Sequence, residues 1–575
     1  MRRDLPALAN QKFDLLVIGS GIYGACVAWD AALRGLSVSL IDQGDFGGAT
    51  SANSLKIIHG GLRYLQDGKP WLMRQMSVER GIWMRIAPHL VHPLACLAPT
   101  YARLTRSKSA YTAGLMINDW ISFDRNRLAD PQKHLPSGQI LSREACLARL
   151  PGIRPEGITG GALWYDAQIF SSERLLLSIV LAAAQAGAVV ANYVQATGFI
   201  LREQMVCGVK AVDRLSGQAL EIQARGVVNC SGAWMDELLL RAGAAPKPRF
   251  QRSIAVNLVT RQVLPEPAVG FLSQPVERVN GATTRPRMLF MTPWRGCSIT
   301  GTLHAPYHGR PEELQVTEET ILDFLAEINQ AFPGAALHRE DVYYAHAGFL
   351  PMLGLNPASG AVRLLRESQI HDHQAEDQID GLISVVGVKY TTARRTAEQA
   401  VDLVLRKLGR EEIPGRTRTT PVYGGEIADF REFQSQLTRQ LPDLEGEALA
   451  CLAHTYGTGC GEIIDLIAAE PGLGQRISSQ APVLRAAVIQ AIRHEMALKL
   501  ADVVWRRTEL ASTGRLDDRT LIACAEIMAG ELGWDADTKN QEIAEIRAIA
   551  GMRAVRAAGS PAAEAQRLPL HESAE

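Results

Sequence analysis

Three glycines near the start of the chain, Gly19, Gly21 and Gly24, stand in the order Gly19-Ser20-Gly21-Ile22-Tyr23-Gly24. This spacing suits the binding of a dinucleotide pyrophosphate. Gly19 permits a tight turn, Gly21 lets the backbone approach the phosphates, and Gly24 lets a following helix pack close to a sheet. The N-terminus of that helix offers free N–H groups and a positive dipole end to the anion. Asp42, 18 residues beyond Gly24, is placed to accept hydrogen bonds from an adenosine ribose.

The elements that must position these residues are legible around them. Phe13 to Ile18 is an apolar run that predicts a strand, Ala25 to Leu33 a small-residue helix, and Ser37 to Ile41 a second strand ending at Asp42. Leu175 to Val194 carries no charge over 20 residues, the length of a membrane span. Gly187 divides it, so it reads as a buried helix, Leu175 to Ala186, and a strand, Ala188 to Val194. Val206 to Ile222 predicts a hairpin. Alternation in Ser253-Ile254-Ala255-Val256-Asn257-Leu258-Val259 predicts an antiparallel sheet within 249–365. Residues 67–165 read as helices and loops. A Pro/Gly-rich link, Pro414 to Gly425, precedes a mostly helical region in which Val483 to Leu510 has unbroken helical spacing.

The segment Ala49-Thr50-Ser51-Ala52-Asn53-Ser54-Leu55-Lys56-Ile57-Ile58-His59-Gly60-Gly61-Leu62-Arg63-Tyr64-Leu65 resembles the flavin-contacting loop of FAD-dependent glycerol-3-phosphate dehydrogenases, members of the D-amino-acid-oxidase-like flavoprotein superfamily. The resemblance continues at Asn229-Cys230-Ser231-Gly232-Ala233-Trp234, at Gly301-Thr302, at Gly387-Val388-Lys389-Tyr390-Thr391-Thr392 and through Leu500 to Thr508. It implies an α/β fold, α+β overall: a Rossmann-like FAD-binding domain (1–66, 166–235 and 381–407) interleaved with an antiparallel-sheet substrate domain (67–165 and 249–365). A C-terminal helical domain (415–550) and a disordered tail (552–575) complete the expected organisation.

By the same resemblance the FAD contacts are Gly19, Ser20, Gly21, Gly24, Asp42, Thr50, Ser51, Asn53, Ser54, His59, Val194, Ser231, Gly232, Gly387, Lys389, Tyr390 and Thr391. A flavin dehydrogenase needs a group to take the hydroxyl proton and donors to stabilise the reduced flavin. The expected catalytic set is Lys389, His59, Arg63, Tyr64 and Arg366, with the two arginines able to fork onto an anionic substrate group. Each has a structural alternative: a solvated strand-end lysine, a histidine beside a glycine turn, arginines in internal salt bridges.

Three positions depart from the family. Its Gly-x-Arg-Pro step reads Gly348-Phe349-Leu350-Pro351, a histidine is missing near Ser253-Ile254-Ala255, and His304 follows Gly301-Thr302-Leu303 where an acid is expected. These changes predict a rebuilt substrate pocket around Phe349 and Leu350, with His304 or His346 as replacement chemistry or as ordinary polar residues. The reaction implied is hydride removal from a CH–OH carbon, nearest to glycerol 3-phosphate with dihydroxyacetone phosphate as product. An amine, amino-acid or hydroxy-acid oxidase is the alternative enzyme. A flavin-binding protein without catalysis is the alternative from another class.

Composition narrows the partners. With 60 basic and 61 acidic residues the net charge is −1, which argues against a nucleic-acid binder held by bulk charge. Nine cysteines show no CxxC pair, so neither a metal site nor a disulfide framework is expected, and a cytoplasmic setting fits. The basic stretch Arg103 to Lys108 suggests peripheral contact with the inner face of the cell membrane. A quinone or oxygen as electron acceptor, and a homodimer, are compatible partners.

Overall fold

A computed structural model describes residues 1–554, apart from 66–67, 103, 242–249, 277–285, 358–359, 412, 480 and 509. The first layer is a mainly parallel sheet. Strand Lys12–Ile18 lies at its centre, flanked by Val38–Ile41 on one side and Ala219–Asn229 on the other, and the sheet continues to Leu382–Val386 and Val189–Ala191. Val17 stands opposite both Leu40 and Val228, so strands widely separated in sequence end side by side at the glycine turn. Such strands, covered on both faces, read as continuous apolar runs. Helix Ile22–Leu33 follows the turn and is buried from Ile22 to Ala32; its alanines let it sit in one core with helices Ser172–Gln185 and Ala393–Lys407.

The long uncharged segment is therefore a buried helix followed by two strands, Val189–Ala191 and Val194–Arg202, parted at Tyr193, whose φ is +57°. Among the described residues no helix is long and apolar enough to cross a membrane. The expected hairpin is present: Met205–Asp213 pairs antiparallel with Ala219–Asn229.

A second, ten-stranded sheet forms the roof. Gln251–Arg261 runs between Val342–Leu355 and Cys297–Tyr307, and the sheet extends through Met288–Trp294 and Ala268–Leu272. The reading of 67–165 as helices and loops is corrected here. Helices Pro70–Ile86 and Lys108–Ile121 are present, but Val91–Tyr101 and Ile158–Ile169 are long antiparallel strands of this sheet. Pro93 and Pro99, and the small residues around them, hid the alternation. Ala268–Leu272 pairs parallel to Val91–Tyr101. One face of the roof buries Ile254, Val256 and Leu258 against Ile321 and Phe324 of helix Glu318–Ala331.

The C-terminal region is mainly helical around its own core. The helical spacing from Val483 to Leu510 resolves into separate elements. Ala481–Leu484 is a strand, helix Arg485–Glu495 stops at Met496 (φ +59°), and Asp502–Arg507 forms a wider π-type turn. The break has a tertiary cause: Arg507 donates to the backbone oxygen of Glu495 through Nε and Nη2, at 3.1 and 2.9 Å. Helix Ala536–Ala554 takes in residues 552–554 of the expected tail, and 555–575 lie outside the described residues.

Candidate active site

The glycine turn is shaped by its neighbours. Gly19 has φ +94°, and a Cβ there would lie 2.6 Å from the Cys230 carbonyl oxygen. A Cβ on Gly24 would lie 1.8 Å from the Gly19 oxygen, so the helix meets the turn in backbone contact. Gly21 differs, since its Cβ would meet only Ser51 Oγ, at 3.3 Å. Packing alone presses a side chain at 21 only lightly, against Ser51 Oγ, which leaves the backbone open to a close-approaching group such as a phosphate. The helix N-terminus is capped from the neighbouring loop, Ile22 N–H donating to Ser51 Oγ at 3.0 Å.

Asp42 closes this turn on itself. Its Oδ2 accepts from Ser20 N–H and Ser20 Oγ at 2.6 and 2.8 Å, and its Oδ1 from Gly44 N–H at 2.9 Å. Burial raises its carboxyl above the ordinary value while these bonds pull it back. A carboxylate has about four acceptor positions, so one remains for a ribose hydroxyl. Val194 N–H donates to the Asp42 backbone oxygen at 2.7 Å. Ser231 donates through N–H and Oγ to Asn229 Oδ1, and Gly232 turns with φ +59°. The residues assembled around the turn fit a dinucleotide.

The loop from Thr50 to Tyr64 threads between the two sheets. Thr50 Oγ1 accepts from Phe349 N–H at 2.9 Å, and Asn53 Nδ2 donates to Ala49 O. Lys56 is wholly buried and donates to Glu173 and Ser172, both at 2.6 Å, which ties the loop to helix Ser172–Gln185. Ser54 Oγ accepts from Lys56 N–H. Beyond it, Gly60 N–H and Arg80 both donate to Asp166 Oδ1, at 2.5 and 2.7 Å, while Trp164 Nε1 donates to Oδ2 at 3.0 Å. Asp166 thus fixes the peptide that follows His59.

His59, Arg63, Tyr64, Lys389 and Arg366 come together, although Lys389 lies 330 positions beyond His59. His59 N–H donates to Thr391 Oγ1 at 3.3 Å, and its ring centroid lies 6.4 Å from that of Tyr64. Lys389 Nζ sits 5.0 Å from the Tyr64 ring centre and donates to the Arg366 backbone oxygen. Arg63 is exposed, its guanidinium 5.7 Å from the same ring. Arg366 is exposed on the segment after strand Val362–Leu364. Burial lowers the His59 imidazole to about 4; nearby Lys389, Arg63 and Arg80 act in the same direction against Asp166. Burial, with Arg63, also lowers Lys389 to about 8. At neutral pH the cluster holds a neutral imidazole beside three cations, so a ring nitrogen can accept a hydrogen bond from a substrate hydroxyl while the cations face an anionic group.

Tyr23, to which the sequence assigned no role, holds the Lys389 loop. Its phenol accepts from Val388 and Lys389 N–H at 2.9 and 3.0 Å and donates to Lys389 O at 2.8 Å. Tyr390 donates its hydroxyl to Ser172 O at 3.0 Å, and Thr391 O accepts from Trp83 Nε1 at 3.0 Å. Asp166 and Arg80 were equally missed. A lone acid in an apolar strand was the one available signal for Asp166.

The three departures converge on one face of the roof. Ser253 stands opposite Leu350, and Ala255 opposite both Gly348 and His304. Strand alternation sends Phe349 to the other face, where its ring lies 5.1 Å from Tyr307. The expected pocket around Phe349 and Leu350 is thus corrected: Leu350 shares its face with Gly348 and His304, and Phe349 does not. His346 is buried between the carbonyls of Ser54 and Ser512, at 3.5 and 3.4 Å, with no open ring atom. His304 is half-buried, and no hydrogen bond reaches its enclosed Nδ1 among the described residues. Burial, with Arg287 and Arg63 nearby, lowers it to about 4.

Among the described residues no group of three or more metal-ligating side chains is assembled.

Residues 14–403 match the family model of FAD-dependent oxidoreductases, and 415–539 match that of the C-terminal domain of alpha-glycerophosphate oxidase. The chain is 32% identical over 547 residues to a glycerol-3-phosphate dehydrogenase of Synechocystis sp., covering 94% of this chain and 97% of that protein. It is 29% identical over 609 residues to the alpha-glycerophosphate oxidase of Streptococcus pyogenes, covering 95% and 96%. The solved structure of the glycerol-3-phosphate dehydrogenase from Bacillus halodurans complexed with FAD is similar with a TM-score of 0.74 at 25% identity, covering 96% of this chain and 97% of that one.

Proposed function

This chain belongs to the FAD-dependent glycerol-3-phosphate dehydrogenase family, and on that premise we propose that it oxidises the CH–OH carbon of a small anionic substrate, with glycerol 3-phosphate the nearest named candidate and dihydroxyacetone phosphate its product. The protein is an FAD-dependent oxidoreductase, and FAD supplies the hydride-accepting chemistry. The observation that carries the substrate reading is the cluster of Arg63, Arg366 and Lys389 around Tyr64, beside the neutral His59. Arg63 and Arg366 bind the anionic group. His59 takes the hydroxyl proton, and Lys389 stabilises the negative charge that develops next to it. Gly19, Ser20, Gly21, Gly24, Asp42, Val194, Ser231 and Gly232 hold the dinucleotide, and Thr50, Ser51, Asn53, Ser54, Gly387, Tyr390 and Thr391 hold its flavin end.

A second reading rests on the shared face of Leu350, Ala255 and His304. No cation projects from these three positions, so a hydroxy acid or another polyol phosphate, anchored from the Arg63 side alone, fits as well. Anaerobic mixing of the purified protein with glycerol 3-phosphate, hydroxy acids and amines, followed at the flavin band near ~450 nm, tests both. Bleaching by glycerol 3-phosphate or a hydroxy acid that weakens in Arg63→Ala and Arg366→Ala supports anion binding. Bleaching by amines alone would overturn it.

Oxygen or a membrane quinone is the proposed electron acceptor, with the protein acting as a homodimer on the cytoplasmic side. Peripheral membrane contact is supported by the exposed Trp71, Met116, Trp120 and Phe123, with Arg74 and Arg127 against the Phe123 ring. A salt wash should release a fraction held by charge; release by detergent alone would indicate that these apolar side chains insert.

A further inference from the structure

We propose that Tyr23 is a positioning residue for the redox chemistry, fixing where Lys389 sits through the backbone of the Lys389 loop. The inference rests on the reading that Lys389 lies at the flavin.

Tyr23 belongs to the first turn of helix Ile22–Leu33, so its backbone is fixed by the same turn that receives the pyrophosphate. Its side chain leaves that turn and crosses to a segment 366 residues away. There one phenol oxygen engages three backbone groups: it accepts from the amides of Val388 and Lys389 and gives its only proton to the Lys389 carbonyl. Ser368 Oγ lies 2.8 Å from the same oxygen. The Lys389 residue is thereby held at both its N–H and its C=O, and its side chain departs from a fixed root toward the Tyr64 ring and the Arg366 carbonyl.

The ring is matched to its partner as closely as the hydroxyl. A Cβ on Gly387 would lie 2.3 Å from Tyr23 Cε2 and 2.4 Å from Cδ2. Gly387 has no left-handed backbone that would require glycine; the Tyr23 ring requires it. The pair Tyr23 and Gly387 therefore makes one joint, linking the phosphate-binding helix to the Lys389 loop. Because the Val388 and Lys389 amides are already satisfied by Tyr23, free backbone donors at the flavin must come from later in the loop, toward helix Ala393–Lys407.

The separation of effects follows. Removing the phenol leaves the glycine turn, Ser51 and Asp42 unchanged, so FAD binding should persist. The Lys389 loop would lose its anchor, and its ammonium would reach water more freely, which moves its pKa upward from about 8 toward that of an ordinary lysine.

The experiment compares wild type with Tyr23→Phe as FAD-loaded full-length proteins. The expected result is wild-type FAD occupancy and a flavin midpoint potential shifted negative in a dye-equilibrated titration. With glycerol 3-phosphate, the flavin reduction rate at saturation should fall at least tenfold with KM little changed, and the decline of rate with pH should move up by about one unit or more. Gly387→Ala, which pushes the ring off the loop by a different route, should give the same potential shift. The titration needs no substrate, so it reads the proposal even if glycerol 3-phosphate fails to reduce wild type, a result that would count against the substrate reading alone. An unchanged potential in both FAD-loaded variants would overturn the positioning role. Loss of FAD from Tyr23→Phe would also overturn it, by making Tyr23 part of the nucleotide site.

Discussion

Arg507 reaches both carboxylate oxygens of Asp45, at 2.6 and 2.8 Å, and neither side chain is exposed. Asp45 follows Asp42 by three residues, and Arg507 comes from the C-terminal region. Burial alone would raise the Asp45 carboxyl, yet Arg507 and Arg506 together hold it below the usual carboxylate range. Arg506 still pairs with Asp45 when Arg507 is removed, so the cost falls below the about 3–5 kcal/mol of a fully stranded buried charge. Arg507→Met should therefore lower the melting temperature and speed FAD release on dilution, read by flavin fluorescence. Because a depressed carboxyl stabilises above its unfolded pKa and loses that contribution as pH falls, the wild-type advantage over Arg507→Met should shrink below about pH 4.

Gly21→Leu should purify folded and without FAD, since its side chain enters the phosphate approach and meets little protein. Asp42→Ala should act on two levels, because Asp42 holds Ser20 and Gly44. Losing hydrogen bonds to a charged group costs about 1.5–3 kcal/mol each. FAD affinity by fluorescence titration should fall at least tenfold, and full occupancy in Gly21→Leu would move the nucleotide site elsewhere.

His59, His304, His346 and His454 are each lowered to about 4, burial being the first cause for all of them. The unfolded chain takes up protons at these sites near pH 6.5, before the folded one does. Stability should thus rise with pH between about 4 and 6.5, by up to about 1.4 kcal/mol per pH unit for each group. Thermal melts across this window should show the slope, and replacing His346 with Gln should reduce it. A melting temperature independent of pH there would contradict neutral burial.

Lys389→Met should retain FAD and slow flavin reduction by about a hundredfold, a typical cost of removing one charge-stabilising donor. With its pKa lowered to about 8, wild-type Lys389 is cationic below that pH, so the reduction rate should decline as pH rises through 8. Stopped-flow reduction at the wild-type rate in Lys389→Met would remove this side chain from the chemistry.

Leu350→Arg restores a cation on the face shared with Ala255 and His304. It should lower the KM for glycerol 3-phosphate by about tenfold, equivalent to about 1.4 kcal/mol, without a similar gain for uncharged alcohols. No gain would mean that the anionic group lies away from this strand.

The nucleotide turn was legible in the sequence because its causes are local. A glycine turn, a small-residue helix and two apolar strands specify their geometry within thirty residues, and Gly19, Gly21 and Asp42 meet where the spacing predicts. The match of the Thr50–Tyr64 and Gly387–Thr392 segments likewise identified the flavin family before any contact was known. Tertiary structure alone decided what depends on register and long-range polar partners. Strands Val91–Tyr101 and Ile158–Ile169 are long and largely buried, and the prolines of the first and the small residues of both leave little period-2 signal. The faces of Phe349 and Leu350 depend on which residue stands opposite Ser253. The break after Glu495 comes from Arg507, and the roles of Tyr23 and Asp166 come from backbone groups that local pattern cannot assign to them. A side chain's chemistry is written in its type, but a buried hydrogen bond needs its partner's position, and only the folded chain supplies that.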